Sequence, residues 1–191
     1  MANMRQNRDL RKEKLIKHVE MPAGVTMSVT GKTITVKGPK GEVKREMKFH
    51  HVVIKHEANK ITFEANKTTK RSKKMIGSLV AHVKNMVRGS QNAHVYVLKI
   101  CSGHFPMNVS INGNKFVVKN FLGEKVPRSM TIKAGAEVKL EGDHINITSA
   151  DKEIAGQISA DIEQLTRRPG FDTRVFQDGI YIINKDGEEQ K

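Results

Sequence analysis

Cysteine is nearly absent. Of 191 residues only Cys101 carries a thiol, so no internal disulfide and no cysteine zinc cluster can form. A chain this poor in cysteine is expected in a reducing compartment, the cytosol. No apolar run approaches the roughly 20 residues that cross a bilayer, so no membrane partner is expected. The first 20 residues hold no uninterrupted apolar stretch and carry Asp9, Glu13 and Glu20, which suits neither a secretory signal nor an acid-poor transit peptide. The second half also lacks any excess charge, with 13 Lys and Arg against 13 Asp and Glu in residues 90–191.

The entire net charge of +14 therefore falls in residues 1–89, where 21 Lys and Arg face 7 Asp and Glu. Three separate runs, "RQNRDLRKEK", "KGPKGEVKREMK" and "KTTKRSKK", share that half. A single charge run is usually a solvated face; several that agree point to a polyanion, most often nucleic acid. The candidate contacts there are Arg5, Arg8, Arg11, Lys12, Lys40, Lys44, Lys70, Arg71, Lys73 and Lys74. With 37% apolar residues the chain can build a core, in one domain or two.

Gly31-Lys32-Thr33 has the closing letters of a phosphate-binding loop. Such a loop needs an earlier glycine, so that backbone N–H groups turn inward, and that position is Thr26. Val25, Met27 and Val29, then Ile34 and Val36, alternate with polar residues around Thr30-Gly31-Lys32, the pattern of a hairpin and not of a strand feeding a helix.

Shifting the chain by 111 residues lays "MPAGVTMSVTGKTITVKG" (21–38) over "IKAGAEVKLEGDHINITS" (132–149), with identity at both turn glycines, Gly31 with Gly142 and Gly24 with Gly135. Glu42 and Val43 then fall over Glu153 and Ile154. This reads as two homologous domains, each followed by one amphipathic helix. In the first helix Met75, Ile76, Leu79, Val80, Val83, Met86 and Val87 share a face, with Gly89 as the stop. Lys70, Arg71, Lys73 and Lys74 crowd its N-terminal turn, against the helix dipole, which suggests an external anion. In the second, Ile154, Ile158, Ile162 and Leu165 form the stripe and Asp151, Glu153, Asp161 and Glu163 the acidic face.

Further hairpins are expected at Ala58-Asn59 and at Asn112-Gly113, a strand at "AHVYVLKIC", and a last strand near "GIYII". The fold class is α+β: two tandem homologous domains, each a small β-sheet or partial barrel packed with one α-helix. The expected organisation is a basic arm over 1–14, a first domain over 15–89, a second over 90–184 and a tail over 185–191.

Adjacent strand histidines point to opposite faces, so His50, His51 and His56 read as a solvated strand and not as a metal site. Cys101 with His104 lacks a recognisable orienting carboxylate nearby, which disfavours nucleophilic catalysis. Asp172, Asp178 and Asp186 sit in turn-like contexts. "TRRPGFDTRVFQDGIY" (166–181) differs in character: Arg167, Arg168 and Arg174 interleave with Phe171 and Phe176 around Pro169-Gly170. Guanidinium groups there suit phosphate contacts and an exposed aromatic suits base stacking. Phe176 is expected in the core. Lys185 joins the three arginines as the expected local cationic cluster.

Four motifs, "GPKGEV", "GHFPMNVSI", "VKNFLGEKV" and "RVFQDGIY", occur in order over most of the chain. With them the sequence resembles the large-subunit ribosomal protein family numbered six in bacteria and nine in eukaryotes, over about residues 15–184. The last three motifs are closer to the archaeal and eukaryotic branch. The resemblance implies two copies of one fold, binding to large-subunit ribosomal RNA near the sarcin–ricin loop and the translation-factor region, neighbouring ribosomal proteins as partners, and no catalysis, metal, cofactor or small-molecule substrate. It also implies that the second domain makes much of the RNA contact; Arg174, Asp178, Gly179 and Tyr181 match the closing motif. Phe171 departs from it, standing where the family usually has a basic residue, and the arm from Arg5 to Lys14 extends beyond the usual start. A free RNA- or DNA-binding regulator is the alternative, and a nucleotide-dependent enzyme on Gly31-Lys32-Thr33 the rival from another class.

Overall fold

The structure is a computed structural model describing residues 14–47, 52–57, 60–172 and 174–190. It divides into two units, Met1–Asn92 and Ala93–Lys191. The Ala58-Asn59 turn, His50, His51, Arg5, Arg8, Arg11 and Lys12 lie outside the described residues.

In the first unit, β1 (Leu15–Glu20), β6 (Lys60–Ala65) and β5 (Val52–Glu57) form one antiparallel sheet in the order β1-β6-β5. A second sheet has the order β2-β3-β4, from β2 (Thr26–Thr30), β3 (Thr33–Gly38) and β4 (Gly41–Glu46). Alternation sends Ile34 and Val36, and likewise Ile61 and Phe63, inward to full burial. The helix α1 (Lys70–Gln91) covers them with Ile76, Leu79, Val83 and Met86. Thr69 and Ser72 cap its start reciprocally, so two orphan backbone N–H groups are satisfied within the chain.

Gly89 does not end α1, which runs on to Gln91 with Asn92 as its cap. Gly89 and Ser90 are buried, and the turn from β3 to β4 lies against this end, where Lys40 N–H donates to the Ser90 carbonyl at 2.9 Å. The helix end therefore serves as a dock for the hairpin turn. Gly38 permits this close approach: a Cβ placed on it would sit 2.6 Å from the Ser90 oxygen.

The second unit repeats the plan. β10 (Arg128–Thr131), β9 (Lys115–Lys119) and β8 (Asn108–Asn112) make one sheet. A five-stranded sheet has the order β11-β12-β7-β13-β14, from β7 (His94–Cys101), β11 (Ala136–Glu141), β12 (His144–Ser149), β13 (Gly179–Lys185) and β14 (Glu188–Glu189). The helix α2 (Lys152–Leu165) packs Ile158 and Ile162 onto a core of Leu98, Phe116, Ile145, Ile147 and Ile180.

Strand order shows that the duplication is real and the offset of 111 is not. β1-β6-β5 corresponds to β7-β12-β11, and β2-β3-β4 to β8-β9-β10, so the hairpin at Gly31 is the counterpart of the one at Gly113. That is a shift of 82, which lays "GKTITVKGPKGE" (31–42) over "GNKFVVKNFLGE" (113–124) with identity at Gly31/Gly113, Val36/Val118, Lys37/Lys119, Gly41/Gly123 and Glu42/Glu124. Gly142 instead turns the hairpin equivalent to the one between β5 and β6, and Glu153 and Ile154, set against strand residues Glu42 and Val43, are helical. The Asn112-Gly113 turn is itself shifted by one residue: Asn112 pairs with Lys115, leaving Gly113 and Asn114 to turn. Gly31 and Gly113 have φ of 62° and 59°, the left-handed conformation that a two-residue hairpin needs and glycine adopts without strain.

Candidate nucleic-acid interface

Helix α2 ends without a basic residue in its last turn; Thr166 and the Arg167 N–H satisfy the Glu163 and Gln164 carbonyls, and the Leu165 carbonyl takes its donor from elsewhere. Arg128, at the start of β10, supplies it: one guanidinium nitrogen donates to the Leu165 carbonyl at 2.7 Å and to the Arg167 carbonyl at 3.2 Å. Glu124 holds the same guanidinium through two bonds of 2.8 and 2.7 Å, and the Phe121 ring lies 4.5 Å beneath it. The hydrogen bond from Arg128 leads in holding the Glu124 carboxyl below the usual carboxylate range. Arg168 reaches the same carboxylate at 3.5 Å and lays its guanidinium 4.4 Å over the Phe171 ring. In the first unit the corresponding Glu42 meets, among the described residues, Lys37, at 3.2 Å and exposed. Lysine cannot reproduce a fork that spans two carbonyls and a carboxylate. Arg128→Lys is expected to destabilise the second unit by about 1–2 kcal/mol, read by urea titration with tyrosine fluorescence, since both tyrosines and no tryptophan report from that unit.

Beyond α2 the chain is tied to β13. Thr166 Oγ1 accepts from the Ile180 N–H at 2.9 Å and donates to the Glu163 carbonyl at 3.2 Å. Asp178 is not a turn residue. It is a buried carboxylate accepting from the Gly103 N–H at 2.6 Å, the His104 N–H at 3.0 Å and the His104 Nδ1. An orienting carboxylate for His104 thus exists, 74 residues away in sequence, yet the imidazole makes no hydrogen bond to Cys101. It stacks instead on Phe176, with centroids 5.0 Å apart, and Phe176 meets Phe171 edge-on at 4.9 Å. Phe176 is therefore half-buried in a surface stack and not in the core, because Ile180 already closes the core at that end.

The predicted cations separate. Arg174 is 87% exposed and paired with its neighbour Asp172 through its side chain, at 2.8 Å, and its backbone N–H, at 2.9 Å. Arg167 is exposed and pairs with no acidic side chain among the described residues. Lys185 does not join the arginines: it ends β13 beside Glu188, about 20 Å along the strand from Gly179 at the usual rise. In the first unit Lys70, Arg71, Lys73 and Lys74 are exposed around the first turn of α1, which holds no acidic residue. Lys40 and Lys44 are exposed at the turn before β4 and on β4. Among the described residues no group of His, Cys, Asp or Glu is arranged to hold a metal ion, and no helix is long and apolar enough to cross a membrane.

The duplicated α+β scaffold, with a basic first turn on α1 and a braced Arg- and Phe-bearing loop after α2, is that of a class of structural, non-enzymatic proteins. The chain belongs to the ribosomal protein L6 family, whose model matches residues 21–92 and 105–179. The two matched segments begin 84 residues apart, in keeping with the strand equivalence and not with an offset of 111. The chain is 40% identical to the large ribosomal subunit protein uL6 of Methanothrix thermoacetophila over 91% of its own length and 98% of the relative. It is 41% identical to that of Methanobrevibacter smithii over 88% and 94%, and 39% identical to that of Aeropyrum pernix over 90% and 95%.

Proposed function

We propose that the chain is a structural constituent of the cytoplasmic large ribosomal subunit, binding large-subunit ribosomal RNA near the sarcin–ricin loop and the translation-factor region and contacting neighbouring ribosomal proteins. Membership of the L6 family over both units carries this reading. The +14 charge, all in residues 1–89, supports it physically, because counterion release from RNA rewards such a surface. In this reading the first domain (15–89) and the arm (1–14) lie against RNA phosphates, with Lys40, Lys44, Lys70, Arg71, Lys73 and Lys74 as contacts and Arg5, Arg8, Arg11 and Lys12 in the arm. Arg167, Arg168 and Arg174 in the second domain (90–184) fix its placement, and Lys185 opens the tail (185–191). Binding is mainly to backbone and shape.

Sedimentation of a cell extract at moderate salt separates this from a free nucleic-acid regulator: the chain is expected in the large-subunit fractions, and its absence from them ends the ribosomal reading. With purified chain and large-subunit RNA, log K is expected to fall linearly with log salt. Arg71→Ala with Lys74→Ala reduces the slope by about 0.7 to 0.9 for each phosphate that is no longer neutralised.

A further inference from the structure

Between the end of α2 and the start of β13, residues within 163–171 and 176–181, with Leu122, line an open cleft of about 430 Å³, within the range of sites that hold small organic groups. Its lining is unusual for a surface expected to meet phosphates. Phe171, Phe176 and Leu122 contribute apolar surface, and Phe171 is 39% exposed. Most nearby cations are already engaged: Arg174 by Asp172, and Arg168 together with Arg128 by Glu124. A phosphate entering here meets a nearly neutral wall, with Arg167 the lining cation that no described acidic side chain pairs. Arg168 covers one face of Phe171 and His104 one face of Phe176, and a flat, neutral ring meets the aromatic surface that they leave exposed, the environment in which proteins stack single-stranded bases.

Tyr181 adds a polar edge. Its ring lies across Gly179, so close that a Cβ on that residue would come within 3.2 Å of it. The side of the chain vacated by the glycine thus seats the ring, which remains 41% exposed with a hydroxyl that makes no hydrogen bond to a described residue. The walls are held before any ligand arrives: the Asp178 clamp on Gly103 and His104, the Thr166 bridge and the Asp172 turn brace the loop at three points. Such preorganisation reduces the ordering cost of binding.

We propose that this cleft receives one unpaired nucleobase of RNA, stacked on Phe171 with its edge read by the Tyr181 hydroxyl and its backbone met by Arg167. The proposal rests on the ribosomal-RNA reading and specifies what the second unit takes from that RNA.

The test uses the full chain and transcribed large-subunit RNA in filter-binding titrations across a salt series. Phe171→Leu keeps an apolar side chain but removes the ring; it is expected to weaken binding on the order of tenfold to a hundredfold at every salt concentration, without altering the salt slope. Phe171→Trp is expected to bind as tightly as the native chain. Tyr181→Phe, which keeps the ring and its seat, is expected to weaken binding roughly two- to tenfold. Ultraviolet cross-linking should join the loop to a single unpaired nucleotide. Native-like binding by both Phe171→Leu and Tyr181→Phe overturns the proposal, as does a loss that appears only as a reduced salt slope, the mark of a phosphate contact. If the native chain itself fails to bind the RNA, the ribosomal reading falls first and this proposal with it.

Discussion

Gly38→Ala is expected to lower the stability of the first unit by about 2–3 kcal/mol, the cost of forcing atoms into a closed contact. The added methyl would stand 2.6 Å from the Ser90 carbonyl oxygen and 2.8 Å from the Ser90 side chain. The carbonyl cannot move aside, because it accepts from the Lys40 N–H and belongs to the last turn of α1. Trimming the other partner gives little relief: Ser90→Gly removes the side chain and leaves the oxygen in place. The destabilisation therefore persists in the double variant, whereas a clash limited to side chains would be relieved. Both tyrosines lie in the second unit, so their fluorescence is blind to this change. Far-ultraviolet circular dichroism in urea, with hydrogen exchange along α1, reads it. Equal exchange protection in native and Gly38→Ala chains would refute the close-contact argument.

Asp178→Asn is expected to cost the second unit about 2–3 kcal/mol. The native carboxylate accepts three hydrogen bonds in a buried position, and the amide brings an N–H₂ group to face donors. Burial pushes the Asp178 carboxyl up, but the hydrogen bonds from His104 and Gly103 together outweigh it, and its pKa lies below the ordinary value. A carboxyl lowered on folding contributes fully above its unfolded pKa, about 3.9, and loses that contribution as pH falls through the folded value. The native second unit should therefore lose stability below about pH 4, and part of that acid loss should vanish in Asp178→Asn. Tyrosine fluorescence in urea at pH 7 and at pH 3 measures both. Identical pH profiles for the two chains would remove Asp178 from the account.

How much of this is legible in the sequence depends on distance along the chain. The apolar stripes of α1 and α2, the strand alternation and the hairpin role of Gly31 are local patterns, and they appear where periodicity places them. The segregation of charge needs only counting. The offset of the repeat fails because β2-β3 and β11-β12 are both short hairpins turning at glycine, alike in every local respect. Only their sheet partners distinguish them, since β12 pairs with β7 whereas β3 pairs with β4. Alternation misplaces Phe176 because it ignores the His104 ring, 72 residues away in sequence, which Asp178 holds in place to stack on Phe176 at the surface. Local pattern passes over Glu124 and Arg128 for a similar reason. Their importance comes from the end of a helix 37 residues beyond Arg128, and the one available signal is that α2 finishes with neither glycine nor a cation to satisfy its carbonyls.

The dock of the β3–β4 turn on Ser90 makes the length of α1 a fixed dimension, as if the hairpin were a gauge block for the helix. Each residue added to or removed from a helix rotates everything beyond it by about 100°. Ser90 would then face away from Gly38, so point changes along the exposed side of α1 are compatible with the fold while a one-residue insertion before Ser90 is not. Helix α2 is met at its end by side chains instead: the guanidinium of Arg128, itself pinned by Glu124, takes the Leu165 carbonyl, and Thr166 Oγ1 joins the Glu163 carbonyl to β13. Of the two copies, the first thus has its helix measured by backbone, and the second by two side chains that a single substitution can remove.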